Sequence, residues 1–197
     1  MKAKIAVFVS GGGTNLQALI DSQGKELNRG EIVLVVSNNP QAYALERAKK
    51  AGIHTKIVLK NVNQNAFEDQ LKEVLTEYKI DLIVLAGFMT ILTERFTSCY
   101  PQRIINVHPS LIPSFCGEGF YGLRVHEAVL NYGVKVTGAT VHFVNEIPDG
   151  GKIIAQKAVE ILPGDTPQIL QKRVMEQAEW VLLPQAAEAV CASIIGG

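Results

Sequence analysis

Cysteine is scarce in this chain: it occurs at three of 197 positions, Cys99, Cys116 and Cys191. An odd number at such wide spacing excludes a framework of paired disulfides, and a chain of this length can bury a core without covalent staples. We therefore expect a reducing compartment, the cytoplasm. Cys116 lies in no local signature of a nucleophile, and no G-x-S-x-G elbow occurs.

Net charge and long apolar segments are also absent. Lys plus Arg and Asp plus Glu both total 19, so no overall basic field exists to hold a nucleic-acid backbone or an acidic membrane. The apolar run at residues 5–9 stops just before a run of glycines and lacks the length of a signal or membrane segment. We expect small-molecule partners, no nucleic acid and no membrane.

Metal-binding patterns are missing from the sequence as well. The four histidines are His54, His108, His126 and His142. They form no H-E-x-x-H motif, and no C-x-x-C motif accompanies them. We therefore expect no metal.

Hydrophobic residues make up 47% of the chain, enough for one sizeable core in a chain too short for two ordinary domains. Short apolar runs predict strands at residues 4–9, 31–36, 55–58, 81–86 and 103–107. Helical spacing occupies residues 15–22, 42–51 and 65–78 between them. Strands that alternate with helices form a parallel, doubly wound sheet, in which ligands bind beyond the carboxyl ends of the strands.

The pattern changes after the fifth predicted strand. Residues 109–122 contain two prolines and three glycines without a clear period and predict a long loop. Two β-rich runs, 134–144 and 152–162, are joined by a turn at 148–151 and predict an antiparallel hairpin. Residues 166–194 predict a closing helix, interrupted near Pro184. The expected fold is a single α/β domain over residues 1–197: a doubly wound, mostly parallel sheet with a C-terminal antiparallel hairpin and a closing helix.

A glycine loop follows the first predicted strand. Residues 10–15 read Ser-Gly-Gly-Gly-Thr-Asn, and Thr14 with Gln17 matches a capping box. Free N–H groups at such a helix start suit a phosphate. The dinucleotide motif needs glycine where Leu16 stands, and the Gly-Lys-Ser/Thr of a P-loop is missing. We predict a site for a lone monophosphate, with a plain tight turn as the alternative.

A polar pair ends the fifth predicted strand. Asn106 and His108 flank Val107, so alternation points both side chains to one side, toward the ligand crevice. An amide donor beside an imidazole can stabilise an oxyanion and move a proton during acyl transfer. Asp149 lies in the hairpin turn, where aspartate is common for conformational reasons, and spacing alone does not bring it to His108. A structural role remains the alternative for both residues.

Four motifs together resemble phosphoribosylglycinamide formyltransferase. They are Ser10-Gly-Gly-Gly-Thr-Asn-Leu16, Ala86-Gly-Phe-Met89, Asn106-Val-His-Pro-Ser-Leu-Ile-Pro113, and Gly138-Ala-Thr-Val-His142 followed by Asp149-Gly-Gly151. The Asn-x-His-Pro-Ser motif marks the wider formyltetrahydrofolate-dependent group of hydrolases and transferases. The glycine loop favours the glycinamide ribonucleotide branch, and the resemblance covers nearly the whole chain.

The resemblance implies transfer of the formyl group of 10-formyltetrahydrofolate, as co-substrate, to the amine of glycinamide ribonucleotide in purine biosynthesis. It implies Asn106, His108 and Asp149 as the catalytic trio. Substrate contacts are implied for Gly13, Thr14, Asn15 and Glu179. Folate contacts are implied for Met89, Thr90, Ile91, Leu92, Asn106, Asn145, Glu146, Ile147, Pro148 and Gln64. A nucleotide-phosphate half would span about 1–100 and a catalytic and folate half about 80–197, in a monomer or a homodimer.

Two positions depart from the family pattern, because Thr90 and Gln64 stand where some relatives carry arginines that meet the folate. In the implied reaction the amine attacks the formyl carbon, and an oxyanion forms between the Asn106 amide and His108. Asp149 would orient the imidazole and help to move the proton.

Three alternatives stay open at this stage. A formyltetrahydrofolate deformylase and a methionyl-tRNA formyltransferase share the Asn-x-His-Pro-Ser chemistry, and we expect each to carry a further domain. A non-catalytic nucleotide-binding module would explain the glycine loop but would leave the trio unused.

Overall fold

The computed structural model describes residues 1–60 and 63–196, which form a seven-stranded sheet covered by helices. The strands are β1 Ala3–Val9, β2 Gly30–Ser37, β3 His54–Ile57, β4 Leu82–Leu85, β5 Ile104–His108, β6 Val136–Phe143 and β7 Ile153–Glu160. Their order in the sheet is β3-β2-β1-β4-β5-β6-β7. The first five strands run parallel and the last two pair antiparallel, which confirms the predicted sheet and hairpin.

The central strands are apolar because both of their faces are buried. In β1, Ile5 and Val7 face one hydrophobic cluster, whereas Ala6 and Phe8 face the other. A strand covered on both sides has no solvent face to carry polar side chains, so it is a continuous apolar run in the sequence.

The helices cover the two faces of the sheet. They are α1 Thr14–Ser22, α2 Tyr43–Lys50, α3 Gln64–Tyr78, α4 Glu94–Thr97, α5 Leu123–Tyr132, α6 Pro167–Val174 and α7 Trp180–Gly196, with a π-helical turn Met175–Glu179 between the last two. Helices α3 and α4 pack on one face through Phe67 and Phe96. The others whose buried residues join a cluster pack on the opposite face. Helices α4 and α5 were not among the predicted elements: α4 has only four residues, and α5 directly follows the glycine-containing segment that predicts a loop.

Two predictions about the helices are wrong, one on the cap of α1 and one on the interruption of the C-terminal helix. Thr14 is the first residue of α1 and the cap is Gly13, whose φ is 72°, so the Thr14 hydroxyl makes no capping bond and instead lies 3.8 Å from the Met175 sulfur. The C-terminal helix is interrupted at residues 175–179 and not at Pro184, which lies inside α7. A proline disturbs the carbonyl four residues earlier, here that of Trp180, where the wide π turn ends.

The C-terminal helical stretch Pro167–Gly196 is long and apolar enough to cross a membrane by length and composition. Half of its most apolar window is buried inside the protein. Leu183, Ala187 and Cys191 are fully buried in the cluster that packs on the sheet, so the stretch packs as a core helix.

The topology reverses between β1 and β4, because the chain builds outward to β3 on one side before it returns to β4 on the other. A crevice opens beyond the carboxyl ends of the strands at such a point. The loops after β1 and β4 are joined there: the Ser10 N–H donates to the Gly87 carbonyl at 3.2 Å, and the Met89 N–H donates to Ser10 Oγ at 2.8 Å.

Candidate active site

A cleft of about 670 Å³ occupies this crevice. Most of the residues predicted for function line it, and they come from the β1, β4 and β5 loops, the β6–β7 turn and the π turn. They are Thr14, Asn15, Met89, Thr90, Ile91, Leu92, Asn106, His108, Asn145, Glu146, Ile147, Pro148, Asp149 and Glu179. Gly13 and Gln64 lie outside the lining.

The glycine loop presents free backbone donors to one end of the cleft. Among the described residues, the N–H groups of residues 11–15 have no hydrogen-bond partner, whereas that of Gln17 donates to the Gly13 carbonyl at 2.9 Å. Gly13 has no space for a side chain, because a Cβ there would lie 2.6 Å from the Ala44 Cβ. Gly11 and Gly12 face open space. These donors at the start of α1 can bind an anion.

Glu179 lies next to this loop and is buried, with 6% of its surface exposed. The Asn15 amide donates to Glu179 Oε2 at 2.7 Å. Burial raises the pKa of Glu179 to about 7, and the bond from Asn15 offsets this only in part. The side-chain oxygen of Asn15, Oδ1, is buried and lacks a partner among the described residues. The pair therefore retains free hydrogen-bonding capacity for a bound ligand.

The structure brings the three predicted catalytic side chains together. Asp149 Oδ2 lies 3.4 Å from His108 Nδ1, and Asp149 Oδ1 lies 3.5 Å from Asn106 Nδ2. Asp149 reaches them from the hairpin turn with a left-handed backbone, φ 56°. These N···O distances exceed the ordinary range of about 2.7–3.2 Å. The trio is therefore assembled without being closed into tight pairs.

Both ring nitrogens of His108 face oxygen acceptors. Nδ1 faces Asp149, and Nε2 lies 2.9 Å from the Phe115 carbonyl. Burial lowers the pKa of His108, and the Asp149 carboxylate and the Phe115 carbonyl oppose that shift without cancelling it. If the ring takes up a proton, each N–H has an acceptor in place.

Asp149 is anchored by the loop at residues 109–122 as well as by the trio. The Gly117 N–H donates to Asp149 Oδ2 at 2.9 Å. Burial pushes the pKa of Asp149 upward, but the neighbouring His142 and His108 side chains and the Gly117 N–H together hold it below its usual value. Asp149 is therefore an ionised group at neutral pH.

His142 belongs to the same cluster, although the sequence analysis predicts no role for it beyond its place in a motif. Its Nε2 lies 3.2 Å from Asn106 Nδ2 and 3.5 Å from Asp149 Oδ1, and its Nδ1 lies 2.8 Å from the Phe143 carbonyl. A proton on Nδ1 leaves Nε2 to accept from Asn106, which orients the amide. The β5–β6 register pairs Asn106 with His142 and so explains this contact. That register cannot be read from the sequence.

His126, on α5, also lines the cleft and was not predicted. It is fully buried, and neither ring nitrogen has a partner among the described residues. Burial, with a smaller effect of His108, lowers its pKa to about 4. His126 is therefore neutral at physiological pH.

The other end of the cleft is apolar. Met89 and Ile91 are 54% and 59% exposed, and Ile147 on the hairpin turn is 58% exposed. Thr90 points inward, where its hydroxyl accepts from the Asn38 amide at 2.8 Å. The Gln64 amide lies behind residues 89–92 and donates to the Ile91 carbonyl at 3.1 Å. Exposed apolar side chains at a cleft mark a site for an apolar part of a ligand.

The arrangement is suited to acyl transfer. An amide donor, an imidazole and a carboxylate meet between an anion site and an apolar site, which is the combination that stabilises an oxyanion and moves a proton. Within residues 1–60 and 63–196, no group of three or more His, Cys, Asp or Glu side chains is placed to hold a metal ion.

Comparison with known proteins identifies the family. The family model described as formyl transferase matches residues 3–186. The phosphoribosylglycinamide formyltransferase of Haemophilus influenzae is 42% identical over 92% of this chain and 84% of its own length. The trifunctional purine biosynthetic protein adenosine-3 of Bos taurus is 43% identical over 98% of this chain, which spans only 19% of that protein.

A solved structure agrees with these matches. The phosphoribosylglycinamide formyltransferase of Brucella melitensis is 39% identical and superposes with a TM-score of 0.89, covering 98% of this chain and 97% of that one. The predicted resemblance is confirmed: this chain belongs to the formyl transferase family, among the phosphoribosylglycinamide formyltransferases.

Proposed function

We propose that this chain transfers the formyl group of 10-formyltetrahydrofolate to the amine of glycinamide ribonucleotide, a step of purine biosynthesis. The observation that carries the proposal is the meeting of Asn106, His108 and Asp149 between an anion site and an apolar site. The names of the relatives support this acceptor over a hydrolytic or a tRNA-directed reaction. Function in the cytoplasm, as a monomer or a homodimer, is part of the proposal.

The ribonucleotide would bind at the glycine-loop end. Its phosphate would accept from the free N–H groups around Gly13, Thr14 and Asn15. Glu179 and Asn15 would contact the ribose hydroxyls, because both retain free hydrogen-bonding capacity. The substrate amine would then lie near Asn106. The phosphate half of the chain, about 1–100, supplies the loop, and Glu179 comes from the catalytic and folate half, about 80–197.

The pterin would bind at the apolar end, between residues 89–92 and residues 145–148. Met89, Ile91 and Ile147 offer exposed apolar surface to its ring. Gln64 and Thr90 would contribute by holding this segment rather than by charge, because their side chains bond to Ile91 and Asn38.

In the reaction, the unprotonated amine attacks the formyl carbon and the formyl oxygen becomes an oxyanion. Asn106 Nδ2 has two N–H groups; one donates to His142 at 3.2 Å, and the contact with Asp149 is long enough to leave the other for the oxyanion. His108 and Asp149 would then move the proton from the attacking nitrogen to the departing folate nitrogen. Positioning of the two substrates supplies the rest of the barrier reduction.

An absorbance assay tests the proposal. The purified protein is mixed with glycinamide ribonucleotide and formyl-folate, and release of tetrahydrofolate is followed. We expect turnover that requires the ribonucleotide. Formate release without ribonucleotide would point to a deformylase. No turnover, with or without ribonucleotide, would contradict the proposal.

A further inference from the structure

Glu68, on α3, is a buried carboxylate that lies behind the cleft and outside the catalytic trio. None of its surface is exposed. It accepts from the Thr93 N–H at 2.8 Å, from the Thr93 hydroxyl at 2.6 Å and from the Gln64 amide at 2.7 Å. Burial favours its neutral form, but these donors and the charge of Arg95 together keep its pKa below the usual value. A buried charge held by several donors is a rigid anchor.

The partners of Glu68 lead to the apolar segment of the cleft, residues 89–92. Thr93 directly follows the segment, and both of its donors bond to the carboxylate. The Gln64 amide also donates to Glu68 and to the Ile91 carbonyl, so it ties the middle of the segment to the same anchor.

The segment is held from its other side as well. The Asn38 amide, on the loop after β2, donates to the Thr90 hydroxyl at 2.8 Å. The segment has no helix or strand hydrogen bonds of its own, and Met89 and Ile91 face outward with more than half of their surface exposed. Besides these bonds, the Met89 N–H donates to Ser10 Oγ at one end of the segment and Leu92 is buried at the other. Without the bonds from Glu68 and Asn38, much of the cost of ordering Thr90 and Ile91 would fall on the bound ligand.

We infer that Glu68 is a positioning residue for the pterin pocket: through Thr93 and Gln64 it fixes the backbone of residues 89–92 in the shape that binds the formyl-folate. The inference rests on the proposed function of that segment. In this role Gln64 acts through its bonds to Glu68 and to the Ile91 carbonyl.

Steady-state kinetics with both substrates tests the inference. Glu68→Leu fills the space but removes the acceptor, so KM for formyl-folate should rise on the order of tenfold, with kcat and KM for the ribonucleotide within about threefold of wild type. Glu68→Gln should restore the wild-type KM, because its amide can keep every bond if the Thr93 hydroxyl accepts instead of donating.

Asp69→Asn is the matched control. Asp69 neighbours Glu68 on α3 and pairs with Arg95 on α4 at 2.6 Å, and within the described part of the chain its side chain makes no hydrogen bond to residues 89–93. The Asp69→Asn variant should leave KM unchanged for both substrates. Thr93→Val removes the 2.6 Å bond that the Thr93 hydroxyl donates to Glu68, so KM for formyl-folate should rise by a smaller factor. This variant tests the role of Glu68 if Glu68→Leu does not fold.

Hydrogen exchange separates this inference from the proposed pocket. In the wild type, a saturating non-reactive folate analogue should slow exchange at residues 89–93; unchanged exchange would overturn the pocket itself. If the wild type shows protection, then an unchanged KM in folded Glu68→Leu and Thr93→Val variants would overturn the role of Glu68. Equal increases in KM for both substrates would also overturn it, and so would a Glu68→Gln variant with a KM for formyl-folate as high as that of Glu68→Leu.

Discussion

Asp149 and Glu179 are both carboxylates in one cleft, yet their surroundings shift their pKa values in opposite directions. Burial alone would raise the pKa of both carboxyl groups. Two histidines and a backbone N–H oppose this at Asp149, whereas only the Asn15 amide opposes it at Glu179. The number of donors therefore decides in which direction the pKa of each carboxylate shifts.

Glu179→Gln tests this assignment through stability. The folded pKa of about 7 exceeds the ordinary 4.5, so between these values the folded state binds more protons than the unfolded state. Wild-type stability should therefore fall as pH rises from about 4.5 through 7, by up to about 3 kcal/mol. The variant lacks this loss and should be the more stable protein at pH 8.

Urea unfolding at pH 5 and pH 8 measures the difference. A free energy of unfolding that changes equally with pH in both proteins would show that Glu179 titrates normally in the fold.

At the same scale, Asn106 and His108 could be predicted as a pair because strand alternation is a local property. Alternation and spacing could not predict their meeting with Asp149, which only the family resemblance implied, because it depends on the hairpin turn folding back over β5. His142 was missed for the same reason: its neighbour Asn106 is set by strand register, 36 residues away in sequence.

Among the elements, the glycine loop permits a prediction that separates binding from folding. Gly12→Ala adds a methyl group in open space, where the proposed phosphate approaches, so KM for the ribonucleotide should rise about tenfold with stability unchanged. Gly13→Ala instead combines a positive φ with a clash against Ala44 and should lower the free energy of unfolding by about 1–3 kcal/mol.

Kinetics and thermal melting of the two variants make the comparison. An unchanged KM for the ribonucleotide in Gly12→Ala would argue that the loop is only a tight turn, which was the alternative in the sequence.

The elements differ in how well they could be predicted. The five parallel strands were placed within one residue at each end, because buried strands are continuous apolar runs. Helix α5 was missed between two glycines, and the capping box failed because Gly13 caps α1 with its own backbone. Pro184 predicts an interruption of the last helix, but neither its position nor the π turn that carries Glu179 into the cleft could be predicted.

For the whole molecule, the active site depends on the topology more than on any single motif. The switch point between β1 and β4 brings the glycine loop and residues 89–92 to one edge of the sheet, and the antiparallel hairpin adds Asp149 from the side of β5. Alternating strands and helices predicted this sheet. The contacts of residues 109–122 with His108 and Asp149 needed the structure, because a loop without period has no predictable path.

The central claim is that His108 and Asp149 act as one unit in the chemical step, and a double-mutant cycle tests it most directly. Steady-state rates are compared for wild type, Asp149→Asn, His108→Ala and the double variant. Each single change should lower kcat on the order of 100-fold or more while KM for both substrates changes little. The double variant should be little worse than the poorer single one, because the same interaction is already lost. Strictly additive losses, or full activity in Asp149→Asn, would contradict the account.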